Sequence, residues 1–305
     1  MSQPKRSRVR AKAVCTIKLR GLNRPVIILS PRANSNILSA ITSCLGTLRE
    51  RSTPPAMAPD LKARLEARVP DGDAPHVMHQ RWESLLFLHW CYEPAQIQET
   101  LPAGLTVDTF QGEAYLGIVP FFMRNVRPRV VPSLPWFSSF QELNVRTYVY
   151  DRDGRPGIWF YSLDCNQSLA TWGARALFGL PYFRAKMTAK RNTWVNYSST
   201  RAGSDECARF RYRGLGDASE TEPGSREFFL LERYYLFSLH RPLGALLRVQ
   251  VSHTPYRYRA AEVEHLSTIP ALLDGFSSLA PAPDHTCLVD GFDVKVYAPK
   301  TVAER

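Results

Sequence analysis

The first 49 residues contain no aspartate or glutamate, and that absence localises almost all of the chain's positive charge. Residues 1–56 carry eleven Lys or Arg against one acid, Glu50, whereas the chain from Met57 onward carries 28 basic and 27 acidic side chains. The excess of +11 therefore belongs to an N-terminal segment, and the body is nearly neutral. A body with balanced charge has no compositional signal for a phosphate backbone, so no nucleic-acid partner is expected. Long apolar runs are missing too. The longest, 26–29 and 85–88, are strand-sized and far below the roughly 18 residues of a spanning helix, so no membrane partner is expected. The six cysteines (Cys15, Cys44, Cys91, Cys165, Cys207 and Cys287) include no CxxC pair, which excludes a disulfide framework and fits reduced thiols in a cytoplasmic setting. GxSxG is absent, which removes the nucleophile elbow of a serine hydrolase. His76 and His79 lack Cys or acid partners at ligand spacing, so neither a metal nor another cofactor is expected. The GLGDAS run at 214–219 lacks the strand-then-helix setting of a phosphate loop and reads as a turn.

What is present divides the chain into three. Residues 1–56 are rich in Arg, Lys, Ser and Asn, a composition resembling a transit peptide; the plainer reading is a disordered tail, or sequence upstream of a start at Met57. Residues 57–78 read as a polar helix (58–68) and a linker, and 79–300 as a single domain. Within that domain the apolar pattern predicts strands at 82–90, 106–110, 114–122, 142–150, 157–163, 193–198, 207–212, 227–239, 246–253 and 289–297. The three-residue Gln111-Gly112-Glu113 loop predicts a hairpin between 106–110 and 114–122. Helices are expected at 95–101, with Pro94 at its first position, and at 168–178; 260–266 and 270–275 are further helical candidates. Strands outnumber helices and are joined by short turns. The fold class is thus mainly β (α+β), with antiparallel and mixed sheets closing on themselves.

The runs WESLLFLHW, LPAGLTVDTFQGEAYLGIVPFFM, FQELNVRTYV, GIWFYSLD, ARALFGLPYFRAKM, LLERYYLF, VSHTPYRYRAAEV and VDGFDVKVYAP resemble, in order, the uncharacterised YqjF-like family. That family carries no assigned reaction, so the resemblance implies a fold, the acetoacetate decarboxylase-like barrel, and no chemistry. Acetoacetate decarboxylases carry a strand glutamate and, some forty residues later, a GRE-x-x-G-x-P-K-K segment whose first lysine forms a Schiff base. Here Glu142 and the segment 174–183 have that spacing. Arg175, Gly179 and Pro181 match, Ala176 replaces the glutamate, and Tyr182 and Phe183 replace both lysines. Schiff-base catalysis needs a neutral primary amine, which neither ring supplies.

The alternation at 142–150 sets Glu142, Asn144 and Arg146 on one side of a strand and Leu143 and Val145 on the other. Such a trio either lines a polar patch of a pocket or forms an interior ion pair, Glu142 with Arg146 or Arg175. If 184–187 is a strand, Arg184 and Lys186 share a face with Tyr182, and Lys186 is then a pocket residue or a solvent-facing one. His89, between Leu88 and Trp90, is a hydrogen-bonded core residue or a ligand contact. The leading expectation is a barrel with an aromatic cavity that binds a small carboxylate- or carbonyl-bearing metabolite. Glu142 and Tyr182 are its candidate catalytic groups; Arg146, Asn144, Arg175, Arg184, Lys186 and His89 are its candidate ligand contacts. Two alternatives stand beside it: a decarboxylase or aldolase-like enzyme using Lys186, and a non-catalytic module with a filled core. Self-association into a homo-oligomer stays open.

Overall fold

The computed structural model describes residues 16–17, 26–27, 57–130, 132, 138–167, 178–277 and 279–302. The chain divides into two units, Met1–Pro54 and Pro55–Arg305. In the first, Thr16–Ile17 pairs antiparallel with Val26–Ile27. The second contains a sheet of 13 strands and four short α-helices among the described residues.

Its strands are β1 (Met78–Tyr92), β2 (Leu105–Val107), β3 (Ala114–Pro128), β4 (Phe140–Asp151), β5 (Pro156–Cys165), β6 (Tyr182–Arg191), β7 (Val195–Arg201), β8 (Ala208–Glu220), β9 (Tyr235–His240), β10 (Ala245–Ser252), β11 (Arg257–His265), β12 (His285–Val296) and β13 (Lys300–Thr301). The helices are α1 (Leu61–Glu66), α2 (Pro94–Gln98), α3 (Arg226–Leu231) and α4 (Ile269–Leu273). Strand dominance follows from the β-branched and aromatic runs, and the helices are short, five or six residues each. Asp60 caps α1 by accepting from the Ala63 amide, and Ser225 caps α3 by accepting from that of Phe228.

The sheet closes twice. Strands β12, β1, β3, β4 and β5 form a shared wall of consecutive antiparallel partners. On one side β6, β7, β8 and β11 complete a ring of nine. On the other, β9 and β10 complete a ring of seven, through a parallel β5–β9 pairing and an antiparallel β10–β12 pairing. Gly157 lets β9 approach β5, since a Cβ there would stand 2.5 Å from the Tyr235 carbonyl oxygen. The wall has two buried faces and two cores. Leu86, Leu88, Leu143 and Val145 pack into the nine-strand side, with Ala185, Met187, Tyr197 and Phe210. Leu85, Phe87, Val119 and Phe121 pack into the seven-strand side, with Leu236, Val249 and Val251.

Two bulges set which residues face which core. Ser84 sits at φ 53 and Asn125 at φ 50, unusual for residues with a Cβ. Across Ser84 the inward parity of β1 switches, so Trp82 and Leu85 both reach the seven-strand interior; across Asn125, Met123 and Val126 do the same on β3.

Several sequence expectations are corrected. Residues 227–239 are two elements rather than one strand, because the Ser225 cap starts α3 and the chain reverses at Glu232–Arg233 before β9. Residues 260–265 are strand, with Glu262 and Glu264 facing Arg213 and Arg211 across the β8–β11 pair. Residues 214–219 lie within β8, where a register shift between Leu215 and Ser219 absorbs Gly216 at φ 66. Strand β2 pairs with β4, and the turn at Gln111-Gly112 is closed by a lone Phe110–Glu113 bridge rather than by a hairpin ladder. Of the helix expected at 168–178, residues 168–177 lie outside the described residues.

Candidate functional site

The seven-strand ring is not filled. It encloses a cavity of about 200 Å³, walled by apolar side chains and by the aromatic rings of Trp82, Phe121, Phe140, Phe160, Phe178 and Tyr256. An interior of this size is several water volumes, at ~30 Å³ each, and so departs from the filled core that one alternative requires. The polar lining is sparse: Gln80, Glu142, Asn144, Arg146, Tyr182 and Arg233.

Three of these come from one face of β4, as the alternation at 142–150 predicts. Glu142 is 3 % exposed and accepts a hydrogen bond from the Tyr182 hydroxyl at Oε2, 2.7 Å away. Burial raises its carboxyl to about 7, partly offset by the hydrogen bonds from Tyr182 and Asn144. Burial and the neighbouring carboxylate push the Tyr182 phenol in the same direction, well above its ordinary value, so the hydroxyl keeps its proton. Glu142 has no ion pair among the described residues, which corrects the expectation of an interior pair with Arg146.

Arg146 is 4 % exposed, and no carboxylate lies within ion-pair distance of it among the described residues. Its guanidinium stacks 4.8 Å from the Phe87 centroid, and its Nη2 donates to the Tyr148 hydroxyl at 3.2 Å. That hydroxyl in turn meets His89 Nε2 at 2.6 Å, and His89 Nδ1 meets His285 Nδ1 at 3.0 Å. Burial lowers the pKa of both histidines, and the like charges of Arg146 on His89 and Arg226 on both act the same way. With both rings neutral, a proton order that satisfies every member has Arg146 donating to Tyr148, Tyr148 to His89, and His89 to His285. His89 therefore stands behind the cavity wall and acts on it through Tyr148 and Arg146.

Arg184 and Lys186 are exposed and do not line the cavity. Beyond its first residues β6 belongs to the nine-strand ring, whose interior takes Ala185 and Met187, so the intervening side chains face solvent. Only Tyr182 reaches the seven-strand side. Arg175 lies outside the described residues. Arg233 was not a sequence candidate, because a continuous strand at 227–239 hides the reversal that turns it inward. It is 2 % exposed, donates to the Asp108 carboxylate at 2.6 Å, and lines the cavity. Burial lowers its guanidinium to about 10, with Asp108 opposing. Among the described residues no group of three metal-ligating side chains occurs, and no helix is long and apolar enough to cross a membrane.

The model of the DUF2071 family, "uncharacterized conserved protein", matches residues 79–293. The curated protein YqjF of Bacillus subtilis (strain 168) is 37 % identical over 198 residues, which cover 64 % of this chain and 80 % of YqjF. Among solved structures, the enduracididine biosynthesis enzyme MppR complexed with pyruvate superposes with a TM-score of 0.52 at 12 % identity, covering 76 % of this chain and 92 % of MppR. The acetoacetate decarboxylase of Legionella pneumophila gives 0.51 at 14 % identity, covering 82 % and 98 %. The fold is therefore acetoacetate decarboxylase-like.

Proposed function

The chain belongs to the DUF2071 family, and from that premise we propose that it binds a small carboxylate- or carbonyl-bearing metabolite inside the seven-strand ring, without Schiff-base chemistry. The observation that carries this reading is a largely apolar cavity lined from one strand by the buried Arg146, which has no carboxylate partner among the described residues, and by Glu142 hydrogen-bonded to Tyr182. An enclosed apolar space with a few convergent polar groups is what small-molecule sites share. A carboxyl titrating near neutrality inside it supports the same reading. MppR, which shares the fold, is complexed with pyruvate, a 2-oxo acid. The amine route lacks its nucleophile, since no lysine among the described residues lines the cavity and Lys186 faces solvent. Cys91, Cys207 and Cys287 form no disulfide among the described residues, which suits a reducing, cytoplasmic compartment.

A thermal-shift panel of the full chain with pyruvate, acetoacetate, phenylacetate, octanoate and 2-nonanone tests the reading. At least one compound is expected to raise the melting temperature in proportion to the logarithm of its concentration. A flat response to all of them contradicts it.

A second reading, turnover, is favoured by Glu142. A carboxyl near pH 7 within hydrogen-bond reach of a phenol suits proton removal next to a carbonyl. Exchange of the α-protons of acetoacetate in deuterated buffer, followed by proton NMR, is then expected to be faster with the wild type than with Glu142→Gln. Equal rates contradict turnover and leave binding standing.

A further inference from the structure

The polar groups of the cavity are divided between two ends. Glu142 and Arg146 are four residues apart on one face of β4, about 13 Å along the strand at ~3.3 Å per residue. At the Arg146 end a second guanidinium joins. Arg146 and Arg233 lie 5.6 and 5.0 Å from the centroid of the same ring, Tyr148. Arg233 shares Asp108 with Arg64, which holds that carboxylate at 2.7 Å and 2.8 Å, whereas Arg146 has no acid. Two guanidiniums thus share one carboxylate, and the third, Arg146, has none among the described residues. Two N–H groups on the cavity-lining pair, Arg146 Nε and Arg233 Nη2, are buried and have no hydrogen-bond partner. Buried donors of this kind are normally satisfied.

Resting on the reading that this cavity holds a ligand, we propose that Arg146 and Arg233 clamp the carboxylate of an apolar monocarboxylic acid, whose hydrocarbon tail occupies the rest of the ring interior. Two unpaired donors on separate guanidiniums match the two oxygens of one carboxylate. The one cavity guanidinium lacking an acid, Arg146, matches a single negative charge. A phosphate monoester brings three oxygens and up to two charges, more than the unpaired donors serve. Most of the remaining lining, Val119, Phe160, Leu163, Leu236 and Val249 among it, offers a tail apolar contact, and its polar members are Gln80, Glu142, Asn144 and Tyr182. Arg146 is held from behind for this task. Its Nη2 is committed to Tyr148, which His89 and His285 hold in turn. Gly117 leaves the space they need, since a Cβ there would stand 3.2 Å from His89 Cδ2 and 3.4 Å from Arg146 Cγ.

Isothermal titration of the full chain with octanoate, 2-nonanone and octyl phosphate tests the assignment. Octanoate is expected to bind about tenfold or more tighter than the neutral ketone and the phosphate, the factor one charge-assisted contact supplies. Arg146→Met is expected to abolish that preference while the circular dichroism spectrum stays native, and the wild-type series decides the matter by itself if that variant does not fold. A ketone bound as tightly as the acid overturns the clamp but leaves the cavity a ligand site. Tighter binding of octyl phosphate overturns the carboxylate assignment. Failure of all three to bind overturns the clamp and, with a flat thermal-shift panel, the ligand-binding reading as well.

Discussion

The Tyr182 hydroxyl donates to Glu142 across 2.7 Å inside the ring, at the sequence position that the resemblance to acetoacetate decarboxylases gives to their first lysine. The substitution leaves the strand glutamate facing the same sequence position and changes what that position can do. An amine would add to a carbonyl; a phenol held neutral by burial can only donate or accept a hydrogen bond. The pair shares a hydrogen bond and offers no amine nucleophile.

Glu142 makes stability depend on pH. Its folded carboxyl titrates at about 7 against 4.5 in the unfolded chain, so the folded state binds its proton more tightly. Its contribution is fully present below pH 4.5 and is lost as the pH rises through 7, a difference of roughly 3 kcal/mol between the two ends. Glu142→Gln removes this titration. Chemical denaturation from pH 5 to 8 is expected to show the variant gaining on the wild type as pH rises. A constant difference across that range would show that Glu142 ionises normally in the fold.

The face of β4 was legible because residues 142–150 alternate cleanly, and the superfamily spacing picked out Tyr182 before any contact was known. Arg233 was not legible, since the apolar run at 227–239 gives no sign of the reversal after α3. The alternation of β6 held, with Arg184 and Lys186 on the face of Tyr182, but the sequence did not show that this face meets the seven-strand interior only at Tyr182 and solvent beyond it. The parity switches at Ser84 and Asn125 were equally hidden, because neither residue is a glycine.

Lys186 is expected to be chemically ordinary. Borohydride reduction of the full chain with acetoacetate should leave its mass unchanged, and Lys186→Ala should bind ligands as the wild type does. A trapped adduct on Lys186, read by peptide mass spectrometry, would restore the amine mechanism.

Ser84 carries the bulge that lets Trp82 and Leu85 both face the cavity, and its carbonyl accepts from the Tyr212 hydroxyl at 2.9 Å. Ser84→Val puts a β-branched side chain at positive φ and is expected to cost ~1–2 kcal/mol. Ser84→Gly should be near neutral, because the lost Oγ contact to Arg191 is partly exposed and glycine tolerates the backbone. Urea midpoints measure both, and equal losses would place the strain elsewhere.

Arg201 ties the wall to α4 by donating to Asp164 at 2.6 Å and to Asp274 at 2.7 Å, with all three side chains buried. Burial raises Asp164 to about 6 even with Arg201 beside it. Arg201→Met strands two buried carboxylates and is expected to cost ~3–5 kcal/mol at pH 8. The loss should shrink toward pH 5 as the carboxyls protonate. A loss independent of pH would mean that the cation's packing, rather than its charge, holds this junction.

The ring interior as a ligand site is tested most directly by native mass spectrometry of the full chain, purified without denaturation, beside Glu142→Gln. The wild type is expected to carry one small molecule per chain, released on unfolding, with lower occupancy in the variant. A mass equal to the bare polypeptide for both proteins, unchanged after incubation with octanoate or acetoacetate, would contradict the account.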